Sequence, residues 1–327
     1  MPNFMITTAC NLRCDYCFAM DLMASNPAVK NMSLETFKSI MDWVDKSNAQ
    51  LKTIQLMGGE PTLSPLLLDM MNELEARNHK VIIFSNLTVP LSQAIINTTK
   101  ANGVEWVVNA NDPITYSREQ ADAVRQNLSA LSARASLCYN VYATDMGFDH
   151  IFEYISKYQL KPLIKLGIAL PTFAKKNAYI HPGQFEQVKI ILNKLHARAR
   201  ENNVRIATEC GAPYCLFKEI LEQPGDIIFE DPISHCGSRL DIAPDGTLIN
   251  CLPLSRAAAK KYTEFEHYGV ASKWFHDFVT PYRSLSGIMD ECFGCEFLLR
   301  GDCKVCLANS LDQYNRLAYP PLPSADS

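Results

Sequence analysis

Several features that would assign a protein quickly are missing from this chain of 327 residues. It has no run of about 20 apolar residues, so a membrane-spanning helix is excluded and we expect no membrane partner. It has no internal repeat and no low-complexity block. Its net charge is only −4, so the overall charge favours no nucleic acid as a partner. No basic and apolar signal segment precedes Cys10, so we expect a cytoplasmic location.

Cysteine, in contrast, is abundant. The chain has 12 cysteines, three within the first 17 residues and eight after residue 209, with Cys138 between the two groups. Disulfide scaffolds are usually short secreted chains, whereas clustered cysteines in a reducing compartment are typical of metal ligands or redox centres. Cys138 lies on an apolar segment and is expected to be a buried small side chain. The hydrophobic fraction of 47% supports a sizeable core, and the length favours two domains.

Short apolar segments alternate with amphipathic ones over the first part of the chain. Six segments rich in β-branched or aromatic side chains are predicted as strands: 4–7, 53–57, 80–84, 105–110, 137–143 and 164–170. Helical periodicity is predicted between them, with starts after Ser33, at Ser64-Pro65 and near Phe185. The alternation indicates an α/β fold with a parallel sheet, open or curled into a partial barrel. In such folds ligands gather at the carboxyl ends of the strands.

The pattern changes after about residue 203. Strand–helix alternation fades, cysteines become frequent, and residues 240–249 are predicted as a β-hairpin that turns at Asp245-Gly246. We therefore expect a first domain at 1–203 and a second, cysteine-rich domain at 204–318. Residues 319–327 are expected to form a disordered tail.

The first cysteine motif directly follows the first predicted strand. Cys10, Cys14 and Cys17 are spaced as Cys-x3-Cys-x2-Cys, which supplies three thiolates where a cubane iron–sulfur cluster takes four ligands. One iron then stays open to another ligand, as in catalytic metal sites. Motif and position resemble the radical S-adenosylmethionine (SAM) superfamily; the alternative is a zinc site or a coincidental grouping. The resemblance implies a partial (β/α)6 TIM-like barrel followed by a small α+β domain, and a [4Fe–4S] cluster that binds SAM.

A second motif supports the same resemblance. Gly58-Gly59-Glu60-Pro61 follows the second predicted strand and resembles the Gly-Gly-Glu-Pro element of that family, in which the carboxylate and the exposed backbone hold the amino group of SAM. Paired glycines let the main chain approach a ligand closely. Ser85-Asn86 ends the third strand, where the family usually has a Ser/Thr-Asn contact to SAM. These residues are therefore candidates for cofactor binding.

Further cofactor contacts are suggested by position alone. The aromatic residues Tyr16 and Phe18 flank Cys17, as the family resemblance implies. Polar residues at the ends of strands four and five are weaker candidates for the same site: Asn109, Asn111, Asp112, Asn140, Tyr142 and Thr144. A solvated strand end is the alternative for each of them.

The cysteines of the second half carry a separate signal. A Cys-x9-Gly-x4-Cys element brackets the predicted hairpin, and a Cys-x2-Cys-x7-Cys-x2-Cys element follows it. The first matches the auxiliary-cluster extensions called SPASM and twitch domains, and the second resembles their second element with different inner gaps. Eight cysteines are candidate ligands of auxiliary clusters: Cys210, Cys215, Cys236, Cys251, Cys292, Cys295, Cys303 and Cys306.

Two ligand assignments are open. If all eight thiolates take part, they fill two [4Fe–4S] clusters. The related pattern then implies that an upstream cysteine, Cys236, Cys251 and the last cysteine, Cys306, share one cluster, and that the other uses Cys292, Cys295, Cys303 and one further group. Alternatively, a single cluster takes Cys236, Cys251, Cys292 and Cys295, as in one-cluster twitch enzymes. We favour two clusters. Paired Cys-x2-Cys units also form tetrahedral zinc sites, which is the competing explanation.

The resemblance implies an oxidoreductase that uses SAM to form a 5′-deoxyadenosyl radical. That radical would abstract a hydrogen from a C–H bond of a peptide or a small natural-product precursor, and auxiliary clusters would accept an electron. The expected outcome is dehydrogenation, crosslinking or oxidative decarboxylation; sulfatase-maturase-like peptide modification and a non-catalytic iron–sulfur electron carrier or sensor are the alternatives. We expect a flavodoxin or ferredoxin as electron donor. Because Cys10 stands close to residue 1, we also expect any leader peptide to be recognised by a separate protein.

Overall fold

The structure is a computed structural model. It describes the following residues: 1–24, 28–47, 51–169, 171–172, 177–208, 213–221, 229–230, 240–255, 258–283, 292–300 and 303. Three of the candidate ligands, Cys210, Cys236 and Cys306, lie outside these residues, as does the expected tail at 319–327.

The described strands form one mixed sheet in the order β11-β10-β9-β1-β2-β3-β4-β5-β6-β7-β8. The strand bounds are β1 Asn3–Thr7, β2 Thr53–Gly58, β3 Lys80–Ser85, β4 Glu105–Asn109, β5 Ala135–Val141, β6 Leu163–Ile168, β7 Arg205–Thr208, β8 Phe229–Glu230, β9 Asp241–Ile242, β10 Thr247–Ile249 and β11 Ala259–Lys261. Neighbouring strands from β1 to β8 pair in parallel, and β9 pairs in parallel with the other side of β1. Strand β10 pairs antiparallel with both of its neighbours, β9 and β11. The sheet is open, with β11 and β8 at its edges.

Helices connect the parallel strands. Their bounds are α1 Met20–Ala24, α2 Leu34–Asp45, α3 Leu67–Ala76, α4 Gln93–Asn102, α5 Arg118–Leu131, α6 Asp149–Lys157, α7 Phe185–Glu201, α8 Lys218–Leu221, α9 Tyr268–Arg283 and α10 Glu296–Leu299. The starts are chemically specified: the Ser33 side chain caps α2 by accepting from the Thr36 N–H, and Ser117 and Gln120 form a capping box on α5. No helix among the described ranges is long and apolar enough to cross a membrane.

The main core lies between the sheet and the helices that cover it. Apolar residues of α2, including Phe37 and Ile40, are fully buried together with Phe4 of β1 and Leu56 of β2. The same cluster continues through Trp106 of β4 to buried residues of α5, α6 and α7. Burial of this apolar surface is the dominant stabilising term, and it fixes the strand ends that carry the candidate site.

The predicted α/β architecture with a parallel sheet is confirmed, and each of the six predicted strands lies within two residues of an observed one. The predicted start of the second helix at Ser64-Pro65 is wrong. A short 3₁₀ turn at Pro61–Leu63 precedes it, and Ser64 Oγ accepts from the Leu66 N–H at 3.4 Å, so α3 begins only at Leu67. The boundary at residue 203 stays a prediction; β7 extends the same sheet just beyond it.

The predicted hairpin forms β9 and β10, and β9 adds to the sheet beside β1. Its turn contains Gly246 at φ +77°, a conformation that side chains other than glycine rarely adopt. A Cβ at this position would lie 2.8 Å from Cδ1 of Tyr262. That ring is held in place, because its hydroxyl is 2.9 Å from the Ser39 hydroxyl.

We expect Gly246→Ala to lower the free energy of unfolding by about 1–3 kcal/mol, because it combines backbone strain with a steric contact. Urea denaturation measures this change. Gly183→Ala is the matched control, since a Cβ there meets nothing within 4 Å, and its effect should stay within about 0.5 kcal/mol. Equal effects of the two substitutions would contradict the described turn.

Candidate functional site

The three cysteines of the first motif lie on the loop that leaves the carboxyl end of β1. A turn brings them together, with the Cys17 N–H donating to the Cys14 carbonyl at 3.1 Å. Donors approach two of the sulfurs: the Leu12 N–H is 3.5 Å from Cys10 Sγ, and Asn111 Nδ2 is 3.5 Å from Cys14 Sγ. Such donors stabilise thiolates and thiolate-bound metals.

Burial and mutual proximity affect the protonation of these thiols. Burial raises the pKa of Cys17 to about 11, and the negative charges of Cys14 and Cys10 add to this rise. Burial likewise raises the pKa of Cys10, to which the charges of Glu60 and Cys14 contribute. A metal cluster would remove the protons and neutralise this repulsion. The donor set therefore fits an iron–sulfur group.

The glycine pair at the end of β2 lies against this cysteine loop. The Gly59 N–H donates to the Thr7 carbonyl at 2.8 Å, and the Glu60 N–H donates to the Ala9 carbonyl at 2.7 Å. A Cβ on Gly59 would lie 2.3 Å from the Ala9 carbonyl oxygen and 2.9 Å from Cys10 Cβ. Only glycine fits this approach, which keeps the main chain beside Cys10.

The carboxylate of Glu60 is turned inward and accepts four hydrogen bonds. Oε1 accepts from the Thr62 N–H at 3.0 Å, the Thr62 hydroxyl at 2.7 Å and the Ser85 hydroxyl at 2.7 Å. Oε2 accepts from the Asn86 N–H at 2.7 Å. Burial raises the pKa of Glu60 and these donors oppose the rise. The Glu60 side chain thus joins the ends of β2 and β3. Within the Gly58-Gly59-Glu60-Pro61 motif, Glu60 and Pro61 are buried and the two glycines are half-buried, so the glycines are its accessible part.

Asn86 joins the end of β3 to the cysteine loop. Its Nδ2 donates to Asn11 Oδ1 at 3.1 Å, and Asn11 Nδ2 donates to the Thr88 hydroxyl at 2.8 Å. The Thr88 hydroxyl closes the ring by donating to Asn86 Oδ1 at 2.6 Å. Sequence reasoning missed Asn11 and Thr88; the place of Asn11 inside the Cys-x3-Cys spacing was the available signal.

Tyr16 connects the cysteine loop to the ends of β4 and β5. It is buried and stacks on Tyr142 with ring centroids 4.6 Å apart. Its hydroxyl donates to Asn111 Oδ1 and accepts from Asn109 Nδ2 at 2.7 Å. Asn140 Nδ2 donates to Asn109 Oδ1 at 2.8 Å. Three of the weaker candidates are thus part of one polar network with Tyr16.

Phe18 and Cys138 have different surroundings. Phe18 packs with Met5 and Leu252 in a small apolar cluster, next to Cys17. Cys138 is buried on β5, as expected for a packing residue. No group of three or more His, Cys, Asp or Glu side chains within the described ranges is placed to hold a single metal ion.

The described cysteines of the second half lie on short turns. Cys215 lies on the 3₁₀ turn Tyr214–Leu216, and Cys251 follows β10 and packs against Leu254 and Val279. Cys292 and Cys295 precede α10, and Cys303 follows it.

Fold and site together thus consist of an open sheet of mainly parallel strands, whose carboxyl edge carries a three-cysteine loop and a glycine pair. Residues 4–127 match the family described as the Radical SAM superfamily. The matched residues span β1 to β4 and most of α5, the part of the chain that carries the three-cysteine loop and the glycine pair.

Three proteins of known name are similar to this chain over most of its length. The tungsten-containing aldehyde ferredoxin oxidoreductase cofactor-modifying protein of Pyrococcus furiosus is 24% identical over 300 residues, which cover 89% of this chain and 73% of that protein. Streptococcus suis SuiB bound to precursor peptide SuiA has a TM-score of 0.66 at 15% identity, with coverage of 99% of this chain and 74% of SuiB. Native anSMEcpe with bound AdoMet (SAM) has a TM-score of 0.64 at 15% identity, with coverage of 96% and 95%. The two structural likenesses show a shared fold.

The hydrogen bonds of Glu60 give a direct test of the site geometry. In Glu60→Gln, either orientation of the amide turns its NH₂ group toward a fixed main-chain donor, the N–H of Thr62 or that of Asn86. We expect the free energy of unfolding of the metal-free protein to fall by about 1–3 kcal/mol.

Chemical denaturation measures this loss, and Glu153→Gln on the exposed face of α6 is the matched control, with an expected change within about 0.5 kcal/mol. Unchanged stability of Glu60→Gln would show that the carboxylate does not hold these donors.

Proposed function

We propose that this protein is a radical SAM oxidoreductase that abstracts a hydrogen from a C–H bond of a peptide or small natural-product precursor. The observation that carries the proposal is the contact between the cysteine loop and the Gly58-Gly59 turn, where the main chain passes directly beside Cys10. When bound, a [4Fe–4S] cluster and SAM would supply the 5′-deoxyadenosyl radical.

The residues of the edge have separate tasks in this proposal. Cys10, Cys14 and Cys17 would hold three irons of the cluster and leave the fourth for SAM. The backbone of Gly58 and Gly59 would face the methionine part of SAM. Their neighbours Glu60, Ser85 and Asn86 would keep that backbone in place through the hydrogen bonds already described, and the buried Pro61 begins the 3₁₀ turn that follows Glu60. Tyr16 and Phe18 shield the loop from water on the side of the sheet.

We further propose auxiliary clusters of the SPASM or twitch type in the second half of the chain. These clusters would take an electron from the substrate radical, which gives dehydrogenation, crosslinking or oxidative decarboxylation. A peptide substrate is supported by the fold shared with SuiB, whose structure holds a precursor peptide. The partial identity with a cofactor-modifying protein supports a substrate that is itself a biosynthetic precursor.

The proposed reaction needs an electron donor and takes place in a reducing compartment. A flavodoxin or ferredoxin would deliver the electron that starts the reaction, and a separate protein would present a peptide substrate. The cysteine content suits the reducing cytoplasm. Three cubanes would give about 12 irons per chain after anaerobic reconstitution, whereas one auxiliary cluster would give about eight.

We expect Cys14→Ala to abolish reductive cleavage of SAM, with a loss of 5′-deoxyadenosine formation of at least about 100-fold, because a cluster with two cysteine ligands cannot present an open iron stably. Anaerobic incubation with dithionite and SAM, followed by chromatography of the products, measures this activity. Cys138→Ala removes a buried thiol on β5 and should retain cleavage.

The wild-type result separates the main alternatives. Cleavage of SAM supports the enzyme, whereas an iron-loaded protein that leaves SAM intact would support an electron carrier or sensor. Zinc in place of iron would contradict both. Transfer of deuterium from a labelled precursor peptide or small precursor into 5′-deoxyadenosine would then identify the substrate class.

A further inference from the structure

We propose that Cys215, Cys292, Cys295 and Cys303 together hold one [4Fe–4S] cluster, in which Cys215 is the ligand supplied from outside the Cys-x2-Cys-x7-Cys segment. This inference deepens the proposed function, on which it rests for the iron–sulfur identity of the group. It names the further ligand that the spacing of the C-terminal cysteines leaves open.

The contact between the two segments is direct. The Tyr214 N–H lies 3.5 Å from Cys303 Sγ, so the residue adjacent to Cys215 donates to the third sulfur of the C-terminal segment. The Tyr214 ring stacks on Phe297 of α10 with centroids 4.5 Å apart and an interplanar angle of 23°. The Cys303 N–H donates to the Phe297 carbonyl at 3.0 Å. These contacts hold the turn of Cys215 against the segment that follows Cys292.

A main-chain turn joins the other two cysteines of the proposed group. The Cys295 N–H donates to the Cys292 carbonyl at 3.1 Å in a turn that contains Gly294 at φ +78°. Cys295 occupies the N-cap position of α10 (Glu296–Leu299). Cys215 and Cys292 both pack against the main core. On the other side, the turn of Cys215 is anchored by buried Leu216 and Phe217.

Two cationic side chains lie against Phe297, which stands between Cys295 and Cys303 in the chain. Lys218 Nζ lies 5.2 Å from the centroid of the Phe297 ring, and Arg300 Cζ lies 5.1 Å from it. A cubane bound by four thiolates carries a net negative charge, which cations near this segment would stabilise.

The experiment uses a full-length background variant in which Cys10, Cys14 and Cys17 are replaced by alanine, so that only auxiliary clusters are counted. Iron and zinc per chain are measured after anaerobic reconstitution, together with the EPR spectrum of the reduced protein. We expect Cys215→Ala and Cys303→Ala to lose about four irons each relative to the background. The buried Cys138→Ala is the matched control and should lose none.

Retention of the background iron and EPR signals in Cys215→Ala would overturn the proposal, as would zinc in place of iron. Loss of that cluster's signal in Cys251→Ala but not in Cys215→Ala would assign it to the single-cluster set instead. If Cys215→Ala does not fold, Cys215→Ser replaces it in the test. A serine oxygen in place of the sulfur should retain iron and shift the EPR spectrum of the cluster. An unshifted spectrum would overturn the assignment. The background lacks the first motif, so absence of SAM cleavage in the wild type bears only on the proposed function.

Discussion

The close approach of two main-chain segments determines the geometry of the candidate site. The turn after β2 donates two main-chain hydrogen bonds to the loop after β1, through the N–H groups of Gly59 and Glu60. The approach requires the absence of a side chain at Gly59, because its Cβ would overlap the Ala9 carbonyl. The direction in which the loop leaves toward Cys10 depends on this contact, as does the exposure of the glycine backbone beside it.

A buried charge then makes the arrangement rigid. Glu60 is 1% exposed, and an isolated carboxylate in such surroundings would be costly. Four donors from Thr62, Ser85 and Asn86 compensate for that cost and tie the ends of β2 and β3 together. Asn86 continues the connection to the loop through Asn11. The functional edge is therefore held by mutually dependent hydrogen bonds, which is how a ligand site is kept preorganised.

Periodicity and motifs predicted much of the fold, but not long-range pairing. The six predicted strands and the hairpin at Gly246 have local signals in apolar segments and turn residues. The strand β7 has only four residues and little alternation, and the pairing of β9 with β1 joins segments more than two hundred residues apart. At the site, the spacing of the three cysteines and the position of the glycine pair after the second strand were enough to predict these residues. The side chain that donates to Cys14 Sγ is Asn111, two residues after the end of β4, and only tertiary packing brings the two together.

The topology also relates the two cysteine groups. Strands β1 to β8 are parallel, so the loops after β1 and β6 leave the sheet at the same edge. Cys215 follows β7 in the chain, and the turn Tyr214–Leu216 that carries it packs against α7, the helix that follows β6. Six strand steps separate β1 from β7, roughly 29 Å along a flat sheet and less along a curled one. A substrate bound over this edge would lie between the loop proposed to form the radical and the cluster proposed to accept its electron, which makes the carboxyl edge the surface on which substrate recognition has to be sought.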